Sequence, residues 1–350
     1  MAGVGSASTD VYETKEIFLV LYDESAYLHQ VKKFVSEDNL SFPCYGAVPK
    51  NIVIYYQKNE SSEITFYENF FYKDDTISVQ EPKEGSYSCE FQFSEIVPTF
   101  YYVMKLNEKF RCKELELFIN IQSNIEMSIP QTFVMTGGKN IGDSSQMVEF
   151  EQLEFSKNAS YDFKLSNYAI FDPKDGKQTV DGIRISHLFQ IANIVSSNRE
   201  EVKAKMMLRF SSGKKMLPSG DVRIVTTSRI PRQLGQTFFN GTNQGETGEI
   251  IFTDSCKVKG YFTLSKTEKE ILKLEGVVIN NTDYIPDVYI YFKTNKSYFI
   301  KGADLLTTHC DTYRLRPTLP KIKDKEDSKK IKISIEFQSE NFKVLENEDD

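Results

Sequence analysis

Apolar residues recur in this chain at every second position, in one segment after another. Tyr87, Cys89, Phe91 and Phe93 alternate with polar neighbours, and Leu115, Leu117, Ile119 and Ile121 repeat the pattern. Val202, Ala204, Met206, Leu208 and Phe210 carry it through five steps, set against Lys203, Lys205, Met207 and Arg209. Successive side chains of a strand point to opposite faces, so a period of two gathers each set on one side of an extended chain. A helix would scatter the same residues around its axis. Further strand-like runs lie at 52–57, 64–67, 100–106, 179–185, 222–227, 258–264, 271–279, 288–293 and 331–337.

Composition agrees with the pattern. The chain has 9 Ala against 29 Ile, and its aromatics are 26 Phe and 19 Tyr with no Trp. Helix-rich chains favour Ala, whereas β-branched and aromatic residues fit a pleated surface. Two segments depart from the period. Tyr27, Val31, Phe34 and Val35, after a capping Asp23-Glu24-Ser25, predict a short helix over 25–36. Leu188, Ile191, Ala192 and Val195 predict a second over 186–197. Asp172-Pro173-Lys174-Asp175-Gly176 has the residues of a tight turn and predicts a hairpin, and the glycine-rich piece 235–248 reads as a loop. The expected fold is therefore all-β and mainly antiparallel with two or three short helices. Its expected type is a β-sandwich or jelly roll, or two tandem sandwiches. Residues 1–10 read as a flexible leader, 11–140 as one β-rich domain, 141–345 as a second of Ig-like or jelly-roll type, and 346–350 as an acidic tail. The polar stretch GGKNIGDSSQ marks the break between the domains.

Several chemistries fail on spacing. Gly137 and Gly142 have the separation of a phosphate loop, but Asp143 stands where its lysine belongs, and a carboxylate repels phosphate. G-x-S-x-G, H-E-x-x-H and the deaminase pattern are absent. The five cysteines, at 44, 89, 112, 256 and 310, include no C-x-x-C pair, so free thiols in a reducing compartment are expected. With no apolar run approaching the ~20 residues of a spanning helix and no secretory leader, the reading is cytoplasmic, without a cofactor and not an enzyme.

Charge is the uneven feature. The formal charge is −7, yet residues 1–198 carry −11 and residues 199–350 carry +4. Within 199–232 the cations are Arg199, Lys203, Lys205, Arg209, Lys214, Lys215, Arg223, Arg229 and Arg232, against Glu200, Glu201 and Asp221. Such a stripe attracts phosphates or an acidic protein surface. The leading functional expectation is a structural or assembly protein acting through protein–protein surfaces, with itself or other proteins as partners. A viral structural protein is one instance, by analogy of fold. The alternatives are a viral transport or other protein that uses 199–232 on nucleic acid or an anionic membrane, and a cytosolic β-sandwich trafficking adaptor.

Overall fold

The computed structural model describes residues 14–22, 24–35, 39–136, 146–192, 194–267, 271–294, 296–309, 311–321 and 327–339. The expected leader, most of the polar break and the acidic tail lie outside these residues. The chain divides into two compact units. The first comprises Met1–Tyr102, Glu116–Asn167 and Met216–Gly220, and the second comprises Val103–Leu115, Tyr168–Lys215 and Asp221–Asp350.

The first unit holds β1 (Thr14–Tyr22), β2 (Ser25–Phe34), β3 (Ser41–Pro43), β4 (Lys50–Gln57), β5 (Thr65–Phe66), β6 (Phe70–Lys73), β7 (Thr76–Val79) and β8 (Gly85–Phe93). Next come β9 (Ile96–Leu106) and β10 (Arg111–Ser123), which continue into the second unit, then β11 (Met127–Thr136), β12 (Gln146–Phe155) and β13 (Ala159–Ala169). Seven strands form one sheet in the order β12-β11-β1-β2-β8-β4-β5, and β3-β7-β6 form a small one. The pairings are antiparallel except β1 with β11, which run parallel. One face of the large sheet is fully buried, through Leu19, Leu21, Leu28, Ile54, Cys89 and Phe91.

The second unit adds β14 (Ile183–Arg184), β15 (Ser186–Ala192), β16 (Ser196–Ser211), β17 (Gly220–Thr226), β18 (Gln233–Phe239), β19 (Thr247–Lys266), β20 (Leu272–Asn280) and β21 (Val288–Lys293). It ends with β22 (Tyr298–Lys301), β23 (Ala303–His309), β24 (Thr312–Pro317) and β25 (Lys330–Ser339). Nine strands make one sheet, ordered β22-β25-β20-β19-β16-β15-β21-β24-β23. Only β15 and β21 pair in parallel within it. Its core face gathers Phe189, Ala204, Phe262, Leu274, Ile290, Phe292, Leu315, Ile333 and Phe337, and Leu188, Met207, Tyr289 and Tyr291 form a smaller cluster.

The fold is thus nearly all β, with mixed sheets dominated by antiparallel pairs. The expected helices are not present. Residues 25–34 are β2, where Ala26, Leu28 and Gln30 are buried by alternation. The second expected helix is replaced by β15, in which Ser186, His187, Leu188 and Phe189 are all buried because both faces of this interior strand are covered. A short run buried on both faces has no period to betray it. Among the described residues the single helical element is one 3-10 turn, Asp327–Lys329, and no helix is long and apolar enough to cross a membrane. The Asp172–Gly176 turn forms, closed by Gly176 N–H donating to the Asp172 carbonyl at 2.8 Å, but its flanks do not pair as a hairpin. Phe171 bridges Ser211 instead, and β14 pairs with β10. Residues 235–239 and 247–248, read as part of a loop, belong to β18 and β19.

Candidate functional site

The nine cations of 199–232 have different surroundings. Arg199 lies on β16 with its guanidinium 5.6 Å from the Tyr261 ring centre. Lys203 is exposed and opposite Lys259, whose ammonium pairs with Glu201 at 3.5 Å. Lys205 is half-buried and opposite Asp254. Lys214 and Lys215 are exposed in the turn after β16, Lys215 lying 5.4 Å from the Tyr168 ring. Arg223 is on β17, and Arg229 and Arg232 are exposed between β17 and β18.

Arg209 stands apart. Alternation along β16 aims it to the same side as Met207, where its Nε donates to Glu249 Oε1 at 3.4 Å. Both side chains are almost sequestered, at 12% and 11% exposure. Arg314 of β24 reaches the other oxygen of Glu249 at 3.2 Å, so one buried carboxylate serves two guanidiniums. Two residues on, Arg316 shares that side of β24 and donates to Asp287 Oδ1 at 3.0 Å. The second oxygen of Asp287 accepts from Ser186 at 3.1 Å. Burial raises the Asp287 pKa, while hydrogen bonds from Tyr289 and Ser186 pull it down.

This network opens into a cleft of about 410 Å³ in the second unit. Arg111, Arg184, Arg209 and Arg316 line it with Lys174, against two carboxylates, Asp172 and Asp287. The chain has only nine arginines beside 34 lysines, so the concentration is selective. Arg111 on β10 and Arg184 on β14 are paired directly across strands. Side chains so placed share a face, and like charges in that position repel. Among the described residues neither is paired with a carboxylate. Arg111 donates one bond, to the Gly182 carbonyl at 3.3 Å, and Arg184 stacks at 4.5 Å over the Tyr284 ring. The Nε of each is buried and lacks a hydrogen-bond partner. Gly182 makes the arrangement possible. Its φ is +79°, and a Cβ there would lie 2.4 Å from the Cys112 carbonyl oxygen, so only glycine lets β14 approach β10 so closely.

Next to the cleft, His187 is buried, its Nδ1 without a partner, and burial depresses its pKa to about 4. It is a neutral interior imidazole at pH 7, not a base poised for catalysis.

The first unit presents a different surface. Opposite the buried face of its seven-stranded sheet, Phe133, Phe18, Val20, Tyr27, Val31, Val53 and Tyr55 are only half-buried, and Phe66 is 72% exposed. Registers across β11, β1, β2, β8, β4 and β5 put these residues on one side. Phe18 contacts Phe133 edge-on at 5.4 Å and stacks on His29 at 4.3 Å. In their midst His29 Nε2 meets Ser88 Oγ at 3.0 Å, and its Nδ1 is 3.8 Å from Glu90. The residue types are those of a catalytic triad, but Ser88 lies inside a strand laddered on both sides by β2 and β4. The neighbouring backbone is committed to the sheet, and an oxyanion hole needs backbone donors that are free. This trio is a cross-strand polar contact within an aromatic face.

Among the described residues no group of His, Cys, Asp and Glu could hold a metal. Cys44 and Cys112 are buried thiols whose pKa burial pushes to about 12, burial raises that of Cys89 as well, and Cys256 is exposed. Comparison with models of known protein families and with curated proteins finds no match for this chain.

The cleft residues Arg111, Arg184, Arg316 and Asp287, and the adjoining pair Glu249 and Arg314, were not anticipated from the sequence. One signal was available, since Arg314 and Arg316 sit two apart on an alternating strand in a chain that otherwise uses lysine.

Proposed function

We propose that this protein is a non-catalytic assembly subunit or scaffold that works through protein–protein surfaces. The observation that carries the reading is the aromatic outer face of the seven-stranded sheet. An antiparallel sheet whose second face meets water alternates polar residues there. Here the outward positions carry two apolar clusters, Phe18, Tyr27, Val31 and Phe133 on one side of a polar row from β8 (Ser88, Glu90 and Gln92), and Val53, Tyr55 and Phe66 on the other, out to the short edge strand β5. Aromatic clusters left open on the outer face of a sheet mark a site of association. Within this reading the units are sandwiches of the jelly-roll or Ig-like kind, which bury one sheet face and leave the other for a partner. The experiment is light scattering on a size-exclusion column over a concentration series, with wild type and the double variant Ile64→Lys, Phe66→Lys. Both residues are exposed, at 60% and 72%, so the variant keeps its core. Concentration-dependent self-association, or capture of a defined protein partner, that is lost in the variant supports the proposal. A wild type that stays monomeric and binds no protein through this face refutes it.

The exposed Lys203, Lys214, Lys215, Arg229 and Arg232 favour a second reading, contact with nucleic acid or anionic membrane. It predicts binding that weakens steeply with salt and falls when these five cations are neutralised.

A further inference from the structure

We infer that the arginine-lined cleft of the second unit is a binding site for a small phosphate monoester carrying an apolar or aromatic body. This inference is independent of the aromatic face, which belongs to the other unit.

Charge comes first. Asp287 neutralises Arg316, and Glu249 is divided between Arg209 and Arg314. Asp172 is occupied as an acceptor of the Lys174 backbone N–H at 2.8 Å in its own turn. The cations around the cleft outnumber these carboxylates, and with Lys174 set against Asp172 in the same turn, Arg111 and Arg184 are the two arginines left without a carboxylate. A protein gains nothing in the empty state by setting two guanidiniums opposite each other on paired strands with no counter-charge. A doubly negative group beside them removes the repulsion and supplies acceptors for the terminal guanidinium N–H groups of Arg184, which make no hydrogen bond among the described residues.

Geometry selects the chemistry. Guanidinium presents planar, forked donors that match carboxylate and phosphate oxygens in pairs, which a lysine ammonium does not. Two forks rooted side by side on one face suit a tetrahedral group with three free oxygens better than a planar carboxylate with two. A phosphate monoester carries close to two negative charges at pH 7.5, because its second pKa is about 6. That charge answers the two unpartnered arginines. Size and lining select the rest of the ligand. About 410 Å³ is more than a lone phosphate fills, and the walls away from the arginines include Pro173, Ile285, Pro286, Tyr289 and Leu319. Ligand sites of this size combine a few convergent polar groups with apolar walls.

The test is calorimetric titration of the full chain at pH 7.5 and constant ionic strength with three probes: phenyl phosphate, inorganic phosphate and benzenesulfonate. The last carries a tetrahedral three-oxygen group on the same ring, one bridging oxygen nearer to it, with one negative charge. Phenyl phosphate is expected to bind at least about tenfold more tightly than either of the others, and to raise the melting temperature. Arg111→Gln and Arg184→Gln are each expected to weaken it about tenfold or more, while Lys214→Gln with Lys215→Gln leaves it unchanged. Folding of the variants is read separately. Removing one of two opposed like charges is expected to leave the ligand-free melting temperature unchanged or raised, so loss of binding in a stable Arg184→Gln is decisive. No binding of any probe overturns the site altogether. Equal binding of benzenesulfonate leaves an anion site and overturns the dianion, and equal binding of inorganic phosphate overturns the organic body. Sedimentation with phosphatidic-acid vesicles without binding of soluble phenyl phosphate assigns the cleft to a membrane and overturns the small-molecule ligand.

Discussion

Replacing Glu249 by Gln is the sharpest probe of how the second unit is held together. Glu249 is 11% exposed and accepts from Arg209 at 3.4 Å and from Arg314 at 3.2 Å, these cations being 12% and 31% exposed. Gln keeps the volume and can still accept a hydrogen bond, but it leaves two guanidiniums adjacent and unneutralised in a nearly dry site. At an effective dielectric of about 20, one such contact is worth about 4 kcal/mol of Coulomb energy. Removing one partner of a buried ion pair costs about 3–5 kcal/mol, because the remaining charge stays desolvated. Arg314 keeps some water contact, which points to the lower end, about 3 kcal/mol. For a cooperative unit of about 150–250 residues this is a fall in melting temperature of about 6–12 °C. Urea denaturation and calorimetry of wild type and Glu249→Gln measure it. The triple variant Arg209→Met, Glu249→Leu, Arg314→Met removes the whole network and is expected to return to within about 1 kcal/mol of wild type. A loss below about 1 kcal/mol in the single variant, or a triple variant no more stable than the single, would refute the reasoning.

Three further outcomes are expected. Gly182→Ala places a Cβ 2.4 Å from the Cys112 carbonyl at φ +79°, so it should cost about 1–3 kcal/mol and abolish phenyl phosphate binding by displacing Arg184; unchanged affinity in calorimetry contradicts this. His187 has a folded pKa of about 4 against an ordinary value of about 6.5. The unfolded chain therefore binds the proton first as pH falls, and stability held in full above pH 6.5 is lost progressively down to pH 4, by about 3 kcal/mol in all. His187→Asn should remove that slope in urea titrations between pH 7.5 and 4, and an identical slope in the variant rules the cause out. In timed alkylation read by mass spectrometry, Cys256 should react before Cys44, Cys89 and Cys112, whose thiols burial holds protonated. Labelling of Cys112 at the rate of Cys256 would contradict its burial.

The β character of this chain was readable because most of its strands bury one face only. Tyr87 to Phe93 and Leu115 to Ile121 alternate in the sequence and their apolar members are buried in the fold. The misread segments are those where alternation is erased. In β15 four successive residues are buried, and in β2 the inward position 30 is a glutamine while outward Tyr27 and Val31 are aromatic or branched. Polarity then no longer reports direction. The basic segment was visible because its residues are consecutive, yet its most constrained member, Arg209, is bound to Glu249, forty residues away. The cleft was invisible for the same reason on a larger scale. Arg111, Arg184 and Arg316 come from three strands far apart in the chain, and only strand pairing makes neighbours of the first two.

The single parallel pairing in the nine-stranded sheet has a kinetic consequence. On one side of it, β15, β16, β19, β20, β25 and β22 are joined antiparallel, and on the other β21, β24 and β23. His187 meets Val288 across this join, a pairing of residues about a hundred apart in the chain. Every other pairing of this sheet joins residues closer in the chain, so this line has the highest contact order in the sheet and is expected to form late in folding. Ser186 to Asp287 is a hydrogen bond across that line, and Arg209 lies 5.8 Å over the Tyr289 ring across it as well. The cleft is mounted on that join, so a ligand seated in it would hold together two strands that the chain brings together from about a hundred residues apart.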